Sequence, residues 1–209
     1  MEKDTNANYK NALVSVFDKC ELITLAKNLN ELVIDILASG STYRAIQDAG
    51  LPASLISDYT DFPEILDGRV KTLHPKIYGG ILARRNQMSD MNALPNFGIK
   101  TIDIVICNLY PFKKIVEEGA TDETILENID IGGVSLIRAG AKNFKDVLTV
   151  VSPSDYEKLI EILKKENVTI QDKLYFATKA FKYIADYDST IYSYFAERCG
   201  ELYSKTLPF

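Results

Sequence analysis

Two short apolar runs separated by a helix-period stripe set the strongest limit on how this chain folds. Residues 12–17 (Ala-Leu-Val-Ser-Val-Phe) have the length and make-up of a buried strand. Leu22, Leu25, Ala26, Leu29 and Leu32 then recur at spacings of three and four, and Val33 to Ala38 forms a second apolar run. A helix from about Tyr43 to Ala49, stopped at Gly50, and a third strand over Ala53 to Ser57 continue the alternation. Strands alternating with helices in units this short imply an α/β fold with a parallel sheet covered on both faces.

The segment from Asp58 to Arg85 breaks the rhythm. It is rich in Gly, Pro and charge, has no sustained periodicity, and is long for a loop. Long loops inside compact α/β domains usually carry function. Regular structure is expected again as a strand over Ile102 to Cys107, a helix from Asp122 to Ile129, a helix opened by Asp130-Ile131-Gly132-Gly133 that reaches Lys142, and a strand over Val147 to Val151. Ser154 and Glu157 are spaced as a capping box for a helix through Lys165. In the tail, Leu174, Ala177, Phe181, Ile184, Ile191 and Phe195 make an amphipathic stripe. That stripe fits packing on the chain's own domain as well as it fits a subunit contact.

Composition narrows the classes. With 209 residues, 46% of them hydrophobic, the chain has a core to bury and is not disordered. A net charge of −5 argues against general nucleic-acid binding, so any bound anion must be held by local cations. Cys20, Cys107 and Cys199 are too few and too scattered for a disulfide framework or a metal cluster. Met1-Glu2-Lys3-Asp4 lacks the apolar region of a secretory signal, and no apolar run is long enough to cross a bilayer. The expectation is a cytoplasmic globular protein with no membrane partner.

In an open parallel sheet, ligands bind beyond the carboxyl ends of the strands. After the first strand stand Ser15, Phe17, Asp18 and Lys19; after the second stands Ser39-Gly40-Ser41-Thr42. Small hydroxyl residues and Gly opening a helix offer donors to a phosphate, although taken alone this segment reads more simply as a helix cap. Arg69 and Lys71 alternate onto one side of an extended segment, where two cations can hold a phosphate or polarise a carbonyl. The commoner fate of such a pair is a solvated basic loop. His74, the only histidine, has no nucleophile–base set around it and receives no proton-transfer role. Asn108 and Tyr110 at a strand end, Asp130 before two glycines, and Lys142 one helix later could share proton transfers if the fold gathers them. Asp130 reads equally well as a helix N-cap.

The eighteen residues from Asp58 to Pro75, with Gly68-Arg69-Val70-Lys71-Thr72-Leu73-His74-Pro75 at their end, closely resemble the signature of the IMP cyclohydrolase domain. That domain belongs to the bifunctional AICAR transformylase/IMP cyclohydrolase family. The likeness recurs in order through Gly79 to Arg84, Cys107 to Phe112, Ile129 to Gly133, Arg138 to Asn143 and the tail around Lys179-Ala180-Phe181, so it spans essentially the whole chain.

The resemblance implies a doubly wound α/β domain of the methylglyoxal synthase type over residues 1–152. A helical extension would follow over 153–209. It also implies ring closure of FAICAR to IMP with loss of water, a hydrolase-class reaction on a cyclic amidine, needing no metal, redox cofactor or folate. By position, Ser15, Lys19, Ser39, Gly40, Ser41 and Thr42 would hold phosphate and ribose, with Arg69 and Thr72 in the same pocket. Cys107 and Asn108 would face the base, next to Ile131, Gly132 and Gly133. Lys71, Tyr110, Asp130 and Lys142 would be the catalytic group, Lys142 moving the proton.

Two positions depart from the family pattern: Phe17 replaces a Ser of the first phosphate loop, and Phe144 replaces a His. Family members are typically dimers, which implies a homodimer here. The chain stops at Phe209, about where the folate-dependent domain would begin. No formyl transfer is therefore expected of this polypeptide, and a separate AICAR transformylase is a natural partner. A natural monofunctional enzyme and a piece cut at the domain boundary would read alike. Two other functions share this fold: methylglyoxal synthase, disfavoured by the Asp58–Pro75 block, and a non-catalytic purine-nucleotide sensor, disfavoured by the retained proton-transfer residues and helped only by Phe17.

Overall fold

The computed structural model describes residues 9–165 and 168–203; Met1 to Asp4 and Phe209 lie outside them. Five parallel strands form one sheet in the order β3-β2-β1-β4-β5: β1 (Asn11–Val16), β2 (Asp35–Ala38), β3 (Ser54–Leu55), β4 (Ile104–Asn108) and β5 (Leu148–Val150). The register is continuous across the centre, with Ala12 opposite Ile104 and Leu13 opposite both Leu37 and Val105. The winding reverses between β1 and β4, which is the doubly wound arrangement expected of the chain.

Alternation along the strands feeds two cores. Ala12, Val14, Ile36, Ile104, Ile106, Leu148 and Val150 face one way, under α1 (Leu22–Glu31), α2 (Gly40–Asp48) and, later in the chain, the helix Tyr156–Lys164. Leu13, Val105 and Cys107 face the other way. Between β2 and β4 the chain forms α3 (Ile56–Thr60), α4 (Pro75–Leu82) and α5 (Met88–Ala93). After β4 come α6 (Phe112–Glu117), α7 (Asp122–Glu127), α8 (Gly132–Lys142), α9 (Tyr156–Lys164) and the 34-residue α10 (Ile170–Tyr203).

Several local expectations need correction. The third strand is only Ser54–Leu55, because the chain turns into α3 at Ile56. The second strand starts at Asp35: Val33 adopts φ 58° and is 83% exposed, so it belongs to the turn leaving α1. α2 begins at Gly40, so Ser-Gly-Ser-Thr supplies its first turn rather than a loop ahead of it. The Asp58–Arg85 stretch is not all loop. Pro75 at the first position of α4 starts a helix, and His74 caps it by accepting from the Lys76 amide at 3.1 Å.

The Ser154 capping box does not form. Ser152 instead accepts from the Ser154 amide, and a short 3-10 turn precedes α9. The tail stripe divides: Ala177 and Ile184 enter the second core, whereas Leu174, Phe181 and Phe195 are exposed. α10 thus covers the face of the sheet opposite α9.

Candidate functional site

A cavity of about 620 Å³ opens beyond the carboxyl ends of β1, β2 and β4, where the winding reverses. One wall is built by the ends of β1 and β2. Ser15 and Ser39 share a hydroxyl–hydroxyl hydrogen bond at 2.8 Å. Thr42 Oγ1 accepts from the Val16 amide and donates to the Val16 carbonyl, both at 3.1 Å, which ties the start of α2 to the end of β1. Ser39 caps α2 with extended backbone but makes no side-chain cap bond. The first-turn amides of Gly40 and Ser41, which have no helical acceptor, are left to face an anion.

The opposite wall comes from the 67–72 loop and the entry to α8. Leu66, Asp67 and Gly68 have φ of 53°, 52° and 85°, a left-handed run that turns the chain so that Arg69, Lys71 and Thr72 line the cavity. Arg69 does not point free. Its Nε lies 3.0 and 3.1 Å from the two Glu127 carboxylate oxygens, and Nη2 completes the fork. Among the described residues Lys71 forms no ion pair, so its charge remains available to a ligand.

Asp130 sits between Lys71 and the α8 N-terminus. Its Oδ1 accepts from the Gly133 amide at 2.6 Å, so the helix-cap and site readings hold together. Burial pushes its carboxyl above the usual carboxylate value, while the Gly133 amide and then Lys71 pull the other way. Both glycines are required by close approach. A Cβ on Gly132 would stand 2.7 Å from Thr72 Oγ1, and one on Gly133 would stand 2.6 Å from Asp130 Oδ2. Thr72 is 2% exposed, and its Oγ1 has no hydrogen-bond partner. A buried hydroxyl left unpaired in a cavity wall is a costly feature that a ligand can satisfy.

At the mouth, Phe17 and Tyr110 pack with ring centroids 5.0 Å apart. Asn108 holds this edge in place: its Oδ1 accepts from the Phe17 and Asp18 amides, each at 2.8 Å, and its Nδ2 donates to the Asp18 carbonyl at 3.1 Å.

Of the residues singled out in the sequence, the cavity gathers Ser15, Ser39, Ser41, Thr42, Arg69, Lys71, Thr72, Asn108, Tyr110, Asp130, Ile131, Gly132 and Gly133. Gly40 lies between two of them. Three others lie elsewhere. Lys19 is exposed, its Nζ 3.4 Å from the Phe17 carbonyl. Cys107 is buried beneath the floor, Sγ 3.8 Å from the Gly133 carbonyl, and burial raises its thiol pKa far above the ordinary value. Lys142 ends α8, whose first residue lines the cavity; eleven residues at 1.5 Å rise per residue place it roughly 15 Å away along the helix, exposed toward the amino ends of the strands.

Sequence reasoning missed Glu127, which engages Arg69 across 58 residues, and the hydroxyls of Tyr183 and Tyr187. The tyrosines carried a usable signal, being polar-tipped aromatics one helical turn apart. Glu127 carried none. Among the described residues no group of three or more His, Cys, Asp and Glu side chains is placed to hold a metal, and no helix is long and apolar enough to cross a membrane.

Comparison with known proteins returns the same region. The MGS-like domain model matches residues 21–135, and the AICARFT/IMPCHase bienzyme model matches 140–208. The bifunctional purine biosynthesis protein PurH of Thermoanaerobacter sp. (strain X514) is 46% identical over 202 residues, covering 96% of this chain and 40% of that protein. PurH of Clostridioides difficile (strain 630) is 44% identical over 198 residues, covering 95% of this chain and 39% of that protein. The chain therefore spans about two fifths of these curated relatives. The crystal structure of ForH superposes with a TM-score of 0.78 at 32% identity, covering 90% of this chain and 97% of ForH.

Proposed function

The chain belongs to the family in which an MGS-like domain is joined to the AICARFT/IMPCHase bienzyme segment, and from that premise we propose that it is an IMP cyclohydrolase acting in purine nucleotide synthesis. The observation that carries this reading is one cavity with an anion seat at the α2 N-terminus on one wall and an unpaired Lys71 beside a partly buried Asp130 on the other. Residues 1–152 would form the cyclohydrolase domain, with 153–209 as the helical extension.

The substrate presents both reacting groups on one imidazole ring, so orientation and charge stabilisation are the main tasks. The phosphate of FAICAR would sit at the Gly40 and Ser41 amides with the Ser15, Ser39 and Thr42 hydroxyls around it. Its carboxamide nitrogen attacks the formyl carbon, forming the new C–N bond, and gives its proton to Asp130. Lys71 stabilises the negative charge that gathers on the formyl oxygen. Return of the proton from Asp130 converts that oxygen to a hydroxyl. It departs as water when the former formamide nitrogen loses its hydrogen, leaving the closed pyrimidinone ring. Tyr110 at the mouth borders the base. Lys142 has no part in this scheme, because α8 carries it away from the cavity.

A purine-nucleotide sensor is the second reading, favoured by Phe17, which replaces a hydroxyl with a half-exposed ring at the cavity edge. Purified protein given FAICAR distinguishes the two. Formation of IMP, followed by its ultraviolet absorbance, is expected well above the uncatalysed rate and lost in Lys71→Ala. Binding of IMP without turnover would support the sensor instead.

A further inference from the structure

The C-terminal helix reaches the site from behind. On α10, Tyr183 and Tyr187 stand one turn apart and point toward the loops that carry Tyr110 and Asp130. The Leu109 amide donates to Tyr183 Oη at 3.0 Å. The Asp130 amide donates to Tyr187 Oη at 2.8 Å, and the same hydroxyl donates to the Asn128 carbonyl at 3.3 Å. Asn128, Ile129 and Asp130 join α7 to α8 with few other partners: the Asn128 and Ile129 amides donate back to the Ile125 and Leu126 carbonyls, and Gly133 uses the Asp130 side chain. Tyr187 packs its ring against Phe112, centroids 6.2 Å apart, in the core that α10 shares with α8 and β4.

We propose that Tyr187, supported by Tyr183, is a positioning residue of the site: its hydroxyl bridges the Asn128 carbonyl and the Asp130 amide and so fixes where the Asp130 carboxylate stands. The claim rests on the cyclohydrolase reading for its kinetic consequence, though not for its geometry. One hydroxyl satisfies a donor and an acceptor of the same turn, and the helix carrying it is locked by its own core contacts. A carboxylate that must meet a carboxamide N–H tolerates little displacement, so slackness in this turn acts on the chemical step more than on nucleotide affinity. The extension is then part of the site rather than an accessory to it.

The test compares Tyr187→Phe with Tyr194→Phe. Tyr194 lies on the same helix, and its hydroxyl donates to Asp122 Oδ1 at 2.8 Å, away from the cavity. Tyr187→Phe removes two hydrogen bonds and Tyr194→Phe one, so the thermal midpoint should fall somewhat further in Tyr187→Phe. Tyr187→Phe should lower kcat for ring closure by roughly 3- to 10-fold as the Asp130 carboxylate is displaced, with KM within about twofold of wild type. Tyr194→Phe should leave both near wild type. A carboxyl-carbon NMR titration of Asp130 gives a readout independent of turnover. Lys71, Cys107, Tyr78, Tyr183 and Tyr187 are the charged or titratable groups coupled to that carboxyl. Burial is the main cause of its raised pKa, so a loosened turn that admits water should bring the midpoint down in Tyr187→Phe and not in Tyr194→Phe. Equal kcat and equal titration in the two variants would overturn the proposal. A wild type inert toward FAICAR, with the Asp130 midpoint still moved only by Tyr187→Phe, would remove the cyclohydrolase reading and uphold the positioning role.

Discussion

The unpaired hydroxyl of Thr72 gives the sharpest test of the site, because one substitution should move stability and affinity in opposite directions. Thr72 is 2% exposed with Oγ1 pressed toward Gly132 and no hydrogen-bond partner. A buried hydroxyl without a partner costs about 1–3 kcal/mol. Thr72→Val removes the orphan while keeping the branched shape. Allowing some misfit of the new methyl against Gly132, the free protein should gain about 1 kcal/mol, a rise of roughly 2–4 °C in Tm for a chain of this size. If that hydroxyl turns to a ligand, the variant also loses one bond in the complex. A loss of about 1.4 kcal/mol corresponds to tenfold weaker IMP binding.

Scanning fluorimetry without ligand and with saturating IMP reads both effects, since bound ligand stabilises in proportion to the logarithm of its concentration over Kd. The variant should lead wild type in the free state and lose that lead when IMP is present. Calorimetric titration gives Kd directly, and Thr72→Ser, which keeps the hydroxyl, should bind like wild type. A lower Tm in the free variant would mean that the hydroxyl has a partner. A higher Tm with unchanged IMP affinity would mean that the orphan has no ligand role.

Asp130→Asn should abolish ring closure and raise Tm near neutral pH. The folded-state pKa lies above the ordinary value of 3.8, so stability falls as pH rises through that window and the ionised carboxylate remains a cost above it; retained turnover or a lowered Tm would contradict this. In wild type the acid limb of kcat/KM, which reports the free enzyme, should accordingly lie above pH 3.8. Glu127→Gln frees Arg69 from its exposed partner, so IMP should bind up to several-fold tighter, the gain vanishing in an Arg69→Ala background and shrinking with salt; a gain that survives loss of Arg69 would refute the exchange of partners. Lys142→Ala should keep turnover within about threefold, given the length of α8. A loss beyond tenfold would mean that Lys142 enters the site of a second copy.

The order and type of the main elements were written locally. Apolar runs at 12–17 and 102–107, and the stripe at 22–32, need only period and length to be read, because strands buried on both faces and one-sided helices leave different spacings. Ends were less legible. The third strand shrinks to Ser54–Leu55 at the sheet edge, and α4 hides behind a Gly- and Pro-rich composition until His74-Pro75 is read as a cap. The candidate anion seat at residues 39–42 was visible as a contiguous motif, since a helix start and its donors occupy neighbouring positions.

Only the tertiary structure decided which motifs meet. The reversal of winding between β1 and β4 brings residues 39–42, 69–72, 108–110 and 130–133 to one crevice, whereas the direction of α8 sends Lys142 toward the amino ends of the strands. The partners that tune the site lie far off in sequence: Glu127 on Arg69, and Tyr187 on Asp130. Local periodicity encodes which face of an element is buried, but not which distant side chain will be packed against it. That choice is made when the helices settle on the sheet, where a hydroxyl or carboxylate must find a partner or lose its hydration uncompensated.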